Sequence, residues 1–401
     1  MKNILNNLKE LSYRKLSKNL PKYHRFLSKD ILDSTSNFIG IYGSRGVGKT
    51  TLLLQLAKKL PFKKDEILYV SCDYPIMQDI SLFKLADEFY KYGGKMLLID
   101  EIHEAKNFEQ ELKSIYDLFD IKVIFSGSSA IKLTNASFAR RYSMFNLPVL
   151  SLREYLELKL SVKLPFFKLE EILNSNETIS YEILGILKDK KILKHFKEYL
   201  NEGVYPYYFE DKRAYFQKII DNINTTLYND LGVLYNIQPQ KLTNLKKLLV
   251  VICISKPMEL SLEKLAKKIG ISRATLYKYI DYLHRGELLR HIMYEAKRFK
   301  NLQKPDKLYL ANTNLCNPLC LECDTGTTRE TFFTNQVSYN HSIYYIHRGD
   351  FLVDNKYTFE IGGKNKGFKQ IADISDSYVA ADDIEVGFEN KVPLWLFGFL
   401  Y

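Results

Sequence analysis

The chain has 401 residues, an apolar fraction of 46% and a net charge of +11, from 58 Lys and Arg against 47 Asp and Glu. That length predicts two or three domains with proper cores, and no apolar run is long enough to span a bilayer, so no membrane partner is expected. The basic excess suggests an anionic partner, most commonly nucleic acid. A bias towards Lys, Asn, Ile, Tyr and Phe can also arise from genome base composition, so charge needs a reading element beside it.

Residues 1–36 are polar and basic with a helical tendency, broken by Pro21–Phe26. They read as a lead-in without the apolar core of a signal peptide; with an odd number of cysteines, five, this predicts a cytoplasmic protein. Residues 37–150 open on NFIGIYGSRGVGKTT, an apolar strand, a glycine loop and a leucine-rich helix. Gly43-x-x-x-x-Gly48-Lys49-Thr50 in that setting predicts a P-loop formed by Gly43, Ser44, Arg45, Gly46, Val47, Gly48, Lys49, Thr50 and Thr51. The glycines let backbone N–H groups curl around phosphate oxygens. Lys49 would reach the β and γ phosphates of ATP, and the Thr50 hydroxyl would ligate Mg²⁺.

A second strand is expected at Glu66–Ser71, a helix at Asp79–Tyr92, and a third strand at Met96–Ile99. The third is apolar throughout, as a strand buried on both faces should be. It delivers Asp100, expected to hold Mg²⁺ through its waters, and Glu101, expected to be the base that orients the attacking water. A solvated acidic strand end is the bland alternative. A fourth strand, Ile121–Phe125, ends in SGSSA, where Ser128 or, second, Ser126 would sense the γ-phosphate; a plain Ser/Gly turn is the alternative. Arg140 and Arg141 precede a fifth strand, Tyr142–Leu147, and are equally an arginine finger, in cis or on a neighbouring subunit, or an ordinary surface pair. DEIH imitates a helicase box, but a second RecA-like domain with its own arginine motif is not seen in the sequence.

Residues 151–239 read as a helical lid, with NEGVYPYYFE as a turn anchored by aromatics. Residues 240–312 predict a winged helix: a helix at Leu245–Ile254, a short helix capped by Ser261 and ended by Gly270, and a second capped by Ser272. Its inward stripe is Leu276, Ile280 and Leu283, while Thr275, Lys278 and Arg285 face outward. Strands at Leu288–Tyr294 and Lys307–Leu310 flank a basic loop with Arg298 and Lys300. Such modules bind DNA with the second helix and the wing, though some bind proteins instead.

Residues 313–401 predict a small mixed α/β domain. Cys316-x-x-x-Cys320-x-x-Cys323 has the spacing of radical S-adenosylmethionine enzymes, but too little chain follows for their barrel. A zinc site would need a fourth ligand, for which His341 is nearest; thiols in a linker is the default. Helix TTRETFFTNQVS carries Glu330, and strands are expected at Ile343–Ile346, Gly349–Val353 and Lys356–Ile361. A two-residue turn at Asp354-Asn355, with Val353 opposite Lys356, would bring Asp350 near Glu360. With Glu330 and Lys364 this suggests a second metal site of nuclease type. Such sites want Glu-x-Lys, however, and Glu360-Ile-Gly-Gly-Lys364 displaces the lysine, so the expectation is a degenerate domain without cleavage. The closing Val392–Tyr401 should fill a core.

Taken together, YGSRGVGKTT, LLIDEIH, SGSSA, ARRYSMFNLPVLSLREYL, NEGVYPYYFE and RGDFLVDN…FEIGGKNK resemble a broad family of bacterial and archaeal AAA-type ATPases with a C-terminal domain of uncharacterised function. The resemblance implies ATP binding, a winged helix and a fold similar to restriction endonucleases, without a known substrate. The expected fold class is α/β: an AAA-type parallel sheet with a helical lid, a winged helix and a small mixed domain. Three functions compete: a Mg²⁺-dependent ATPase coupled to DNA or partner binding, an ATP-regulated DNA endonuclease, and a nucleotide-gated interaction module. A homo-oligomer is compatible with each.

Overall fold

The apolar run before the glycine loop forms strand β1 (Phe38–Gly43), central enough to be buried almost throughout. It belongs to a computed structural model describing residues 2–128, 140–188, 191–255, 261–295 and 307–401. The chain divides into two compact units, Met1–Val149 and Leu150–Tyr401.

In the first unit β1 is joined by β2 (Ile67–Ser71), β3 (Met96–Asp100), β4 (Lys122–Ser128) and β5 (Ser143–Asn146), all parallel, in the order β2-β3-β4-β1-β5. β2 and β3 are buried along their whole length, which explains their unbroken apolar sequence. Helices at Lys49–Lys59, Leu82–Lys91 and Phe108–Leu118 connect the strands. The lead-in is mostly helical, at Lys2–Leu16 and Leu27–Leu32. Leu5 and Leu8 of its first helix enter the core with Phe38, Leu68 and Leu97. Ser12 Oγ accepts the Tyr69 backbone N–H at 2.8 Å on β2, the edge strand.

The second unit begins with helices at Leu152–Leu160, Leu169–Leu187, Ile192–Asn201 and Tyr215–Thr225, the last running into a π-helical stretch, Thr226–Leu231. Pro206–Phe209 makes a single 3₁₀ turn. Helices follow at Pro239–Cys253, Leu262–Ile269 and Arg273–Arg285. β6 (Leu289–Ile292) then pairs antiparallel with β7 (Lys307–Leu310). Helix Thr325–Val337 precedes a mixed sheet of β8 (Ile343–Tyr345), β9 (Phe351–Val353), β10 (Tyr357–Gly362), β11 (Ser377–Ala381) and β12 (Lys391–Pro393). β11 and β12 are absent from the sequence reading because their three to five residues carry no usable periodicity. Leu394–Phe399 is fully buried, as a core-filling segment should be. Among the described residues no helix is long and apolar enough to cross a membrane.

The β9–β10 turn differs from expectation. Val353 pairs with Tyr357, not Lys356, because Asp354 and Asn355 are both left-handed (φ 51° and 56°) and Lys356 joins them as a third loop residue. Asp350, just before β9, donates its backbone N–H to the Phe359 carbonyl at 2.8 Å, next to Glu360 in the chain.

Candidate functional site

The loop between β1 and helix Lys49–Lys59 curls back over the helix start. Gly46 and Gly48 stand at φ 83° and 97°, a backbone region that favours glycine. The Val47 side chain is fully buried and pins the loop from below. Lys49 is 6% exposed, and its ammonium donates to the Gly43 and Ser44 carbonyls at 3.0 and 3.1 Å. Those partners are neutral, so the positive charge stays available at the mouth of the loop. Ser44 and Arg45 belong to the loop, and Thr50 and Thr51 to the first turn of the helix.

Parallel pairing carries the β3 and β4 ends to the same edge of the sheet. There Asp100, 3% exposed, is held by hydroxyls. Its Oδ2 accepts from Thr50 Oγ1 at 2.6 Å and from the Tyr69 phenol at 2.8 Å, and its Oδ1 accepts from Ser126 Oγ. Among the described residues no lysine or arginine pairs with it. Burial, then the Asp100 charge, push the Tyr69 phenol far above its ordinary range, so it stays a donor. Glu101 turns the chain out of β3 with φ 49°, and its Oε2 lies 3.5 Å from His103 Nδ1. Its backbone N–H approaches Ser126 Oγ at 3.4 Å. Ser128 pairs in register with Gly43, and its buried Oγ has no hydrogen-bond partner among the described residues.

A buried carboxylate without a cationic side chain beside it among the described residues, a threonine hydroxyl against it and an ammonium resting on carbonyls fit a Mg²⁺–triphosphate. Thr50 and Asp100 would hold the ion, which would neutralise phosphate charge. Sequence reasoning missed three supports. Arg25, from the lead-in, is 7% exposed and donates to the carbonyls of Val47 at 2.8 Å, Pro148 at 2.8 Å and Val149 at 3.3 Å. Gln55, on the P-loop helix, donates to the Pro21 and Tyr23 carbonyls at 2.9 and 2.8 Å. Tyr69 is the third. Nothing in the local sequence marks any of them.

Arg140 and Arg141 are not brought to this loop. They precede β5 and so stand at the amino edge of the sheet, opposite the carboxyl edge where Gly43 ends β1. Both line a cavity of about 630 Å³ there with Asn37 and Asp117. Arg141 pairs with Asp117 at 3.0 Å and lies over the Tyr116 ring.

In the second unit, Ser261 and Ser272 each accept an N-cap hydrogen bond, at 3.5 and 3.1 Å, and Leu276, Ile280 and Leu283 are buried. Thr275 Oγ1 meets Ser272 Oγ at 2.9 Å, a cap contact. Lys278 is exposed, while Arg285 is tied to Asp281 at 2.8 Å. Arg298 and Lys300 lie outside the described residues.

Glu330, Asp350 and Glu360 do come together, but around lysines that the sequence reading did not choose. Lys307, 2% exposed on β7, lies 3.7 Å from Glu330 Oε2 and 3.5 Å from Asp350 Oδ1, with its ammonium over the Tyr345 and Phe351 rings. Tyr309 donates to Glu330, and Asp350 Oδ2 accepts the Ile361 N–H at 2.8 Å. Lys366 pairs with Glu360, whose other oxygen is buried without a partner among the described residues. Lys364 is not in the cluster; its carbonyl accepts from Lys391 at 2.6 Å. The reason is Gly362, the position of the lysine in Glu-x-Lys. A Cβ there would strike the Lys366 stem at 2.6 Å, so the missing side chain is the path by which Lys366 reaches Glu360. Burial raises both Glu330 and Glu360 above the usual carboxylate range, and Asp350 adds to the rise; Lys307 opposes it at Glu330 and Lys366 at Glu360.

Cys316, Cys320 and Cys323 are not isolated linker thiols, for Cys253 joins them. His341 takes no part: its Nδ1 meets Asp354 Oδ2 at 2.6 Å.

Residues 35–156 match the family model of an AAA domain, and residues 193–326 match a domain of unknown function, DUF8612. The chain is 28% identical over 397 residues to uncharacterized protein MJ1637 of Methanocaldococcus jannaschii, covering 91% of this chain and 84% of that protein. Solved structures with similarity include AMPPCP-bound DnaA from Aquifex aeolicus, at 17% identity and TM-score 0.24, covering 64% of this chain and 86% of that one. C. elegans PCH-2 follows at 14% identity and TM-score 0.24, covering 69% and 67%. The AAA-domain match supports an AAA-type P-loop nucleotide-binding domain in the first part of the chain.

Proposed function

We propose that the protein is a Mg²⁺-dependent ATPase that couples its nucleotide state to DNA binding. The observation that carries the reading is Asp100, buried, held by Thr50, Tyr69 and Ser126 hydroxyls, with Lys49 resting on the Gly43 and Ser44 carbonyls. Lys49 meets the β and γ phosphates. Glu101 accepts the proton of the attacking water, with His103 Nδ1 3.5 Å from its carboxylate. Ser128 is the better γ-phosphate sensor, because Ser126 is already committed to Asp100. Arg140 and Arg141 face away from their own P-loop, so any finger role is played on the nucleotide of a second copy.

Residues 240–312 act as a winged helix, with Lys278 and Arg285 on the second helix and Arg298 and Lys300 in the wing meeting DNA phosphates or base edges. The carboxylates Glu330, Asp350 and Glu360 do not cleave DNA, because Lys307 and Lys366 supply the positive charge that a metal ion would bring. The deciding experiment is ATP turnover with and without a panel of DNA forms. Turnover that responds to DNA and vanishes in Lys49→Ala supports the reading. Binding without turnover in any condition would leave a nucleotide-gated module instead.

A further inference from the structure

Four of the five cysteines meet at one place, and the fifth, Cys72, is buried elsewhere. Cys253 ends helix Pro239–Cys253, Cys316 opens the helical turn Cys316–Leu319, and Cys320 and Cys323 flank a loop whose Leu321 is fully exposed. The sulfurs are joined as Cys253–Cys320 and Cys316–Cys323. Yet the two pairs also touch each other: Cys253 Sγ lies 3.6 Å from Cys316 Sγ. The sulfurs of Cys253, Cys316 and Cys320 fall within 4.8 Å of one another.

We propose that in the reduced chain these four thiols form a structural site for one thiophilic divalent ion, Zn²⁺. The geometry fits, since a tetrahedron with Zn–S bonds of 2.3 Å has sulfur–sulfur edges of about 3.8 Å, close to the gap between Cys253 and Cys316. A cubane iron–sulfur cluster holds its thiolates further apart. The spacing fits as well: three ligands come from one short segment and the fourth from a distant helix, with two to four residues between neighbours in zinc sites. As a covalent link, Cys316–Cys323 closes a loop of sequence separation 7 and restrains little of the unfolded chain. As ligand spacing, the same closeness lets one segment supply three sulfurs at once. Four thiolates leave no open position, so the site holds structure and carries out no reaction. All four cysteines are half-buried, and among the described residues no carboxylate or imidazole shares the set, which selects a soft metal. Binding releases four protons as the ion enters, and no electron is transferred.

The ion would fasten the end of helix Pro239–Cys253 to the segment that follows Asn314. Asn314 is fully buried and donates to the Tyr199 and Leu200 carbonyls at 2.9 and 3.1 Å, while accepting from the Val204 N–H at 3.1 Å. The site therefore ties the proposed DNA-reading helices to the NEGVYPYYFE turn. All four cysteines lie within the residues matched to the domain of unknown function.

The test uses the full chain purified under argon with a phosphine reductant and without added metal or chelator. Elemental analysis should find about one zinc per chain and no acid-labile sulfide. Titration with a mercurial should release that zinc as the clustered thiols react, with Cys72 reacting only after denaturation. Cys253→Ser and Cys320→Ser should each lose the metal, and Co²⁺ reconstitution should give the visible absorption of a tetrahedral tetrathiolate. Because those variants risk misfolding, the mercurial titration of the native chain is the deciding measurement. Three results would overturn the proposal: a metal-free chain with free thiols; iron accompanied by sulfide; or zinc undiminished in Cys253→Ser.

Discussion

Two acidic clusters in this chain are built from the same residue types and have opposite electrostatics. At the P-loop edge, Asp100 is held by three hydroxyls and Lys49 rests on backbone carbonyls, so acid and base are both buried and neither cancels the other. Around β7 and β10, Lys307 lies against Glu330 and Asp350, and Lys366 against Glu360. Keeping opposite charges apart in a low-dielectric setting is unfavourable in the empty state, and a ligand that brings both a cation and phosphates relieves it. A cluster whose charges already pair has no such debt. A count of acidic and basic residues would rank the two clusters alike; the partner of each charge separates them.

The largest effect should come from breaking the open cluster. Lys49→Ala should leave no detectable heat on titration with ATP. Glu101→Gln should still bind but turn over slower by roughly 10²–10⁴-fold, the usual contribution of a positioned base; turnover at the wild-type rate would mean another group is the base. Next comes the closed cluster. Lys307→Met leaves two carboxylates without their ammonium and should cost about 3–5 kcal/mol in denaturant unfolding. A loss under about 1 kcal/mol would show that Lys307 is not what holds Glu330 and Asp350 together.

The contrast sharpens with metal. In Lys49→Ala protein, which is nucleotide-free, Mg²⁺ or Mn²⁺ should not raise the melting temperature, and plasmid should stay intact. A rise that Asp350→Asn erases, with nicking lost in Glu360→Ala, would make the second cluster a nuclease centre. A smaller effect is expected at the proposed DNA face. Lys278→Glu should weaken binding across all sequences and lower the salt slope by about 1 in fluorescence anisotropy. Unchanged affinity would favour a protein partner.

The smallest effect is on pH dependence. Burial raises Glu360 in the folded chain, so the folded state holds that proton more tightly than the unfolded one. Its stabilising contribution is therefore present below the ordinary value of 4.5 and is lost as pH climbs through the raised value. Glu360→Gln should flatten that part of the stability–pH curve, read as the wild-type-minus-variant difference. A wild-type-minus-variant stability that falls as the solution becomes more acidic would reverse the sign and refute the assignment.

The parallel sheet and its glycine loop were legible in the sequence because phosphate binding needs neighbouring residues at fixed spacing, and a doubly buried strand needs an unbroken apolar run. Pairings between distant residues were not legible. Cys253 stands 63 residues before Cys316, and Lys307 meets Asp350 from a different strand. Lys366 arrives over the space left by Gly362, which no spacing rule for Glu-x-Lys describes. The β9–β10 register failed for a local reason, since two left-handed residues and a third loop position read in sequence like a two-residue turn. One signal was available: Lys307 and Tyr309 alternate with Leu308 and Leu310, so two polar side chains share one face of a short strand that the burial pattern then closes over.

Tyr69 has a role that its place on an edge strand hides. Its backbone N–H is taken by Ser12 of the first helix, and its phenol by Asp100, so one residue spans from the outer rim of the sheet to the carboxylate at the end of the neighbouring strand. Deleting residues 2–16 would thus do two things at once. It would bare a strand edge that other chains can pair with, inviting aggregation, and it would free the anchor that fixes where the phenol points. Enzymologists trimming this protein to a minimal ATPase should therefore expect insolubility and a weakened Mg²⁺ response to arrive together, from one cut far from the glycine loop in sequence.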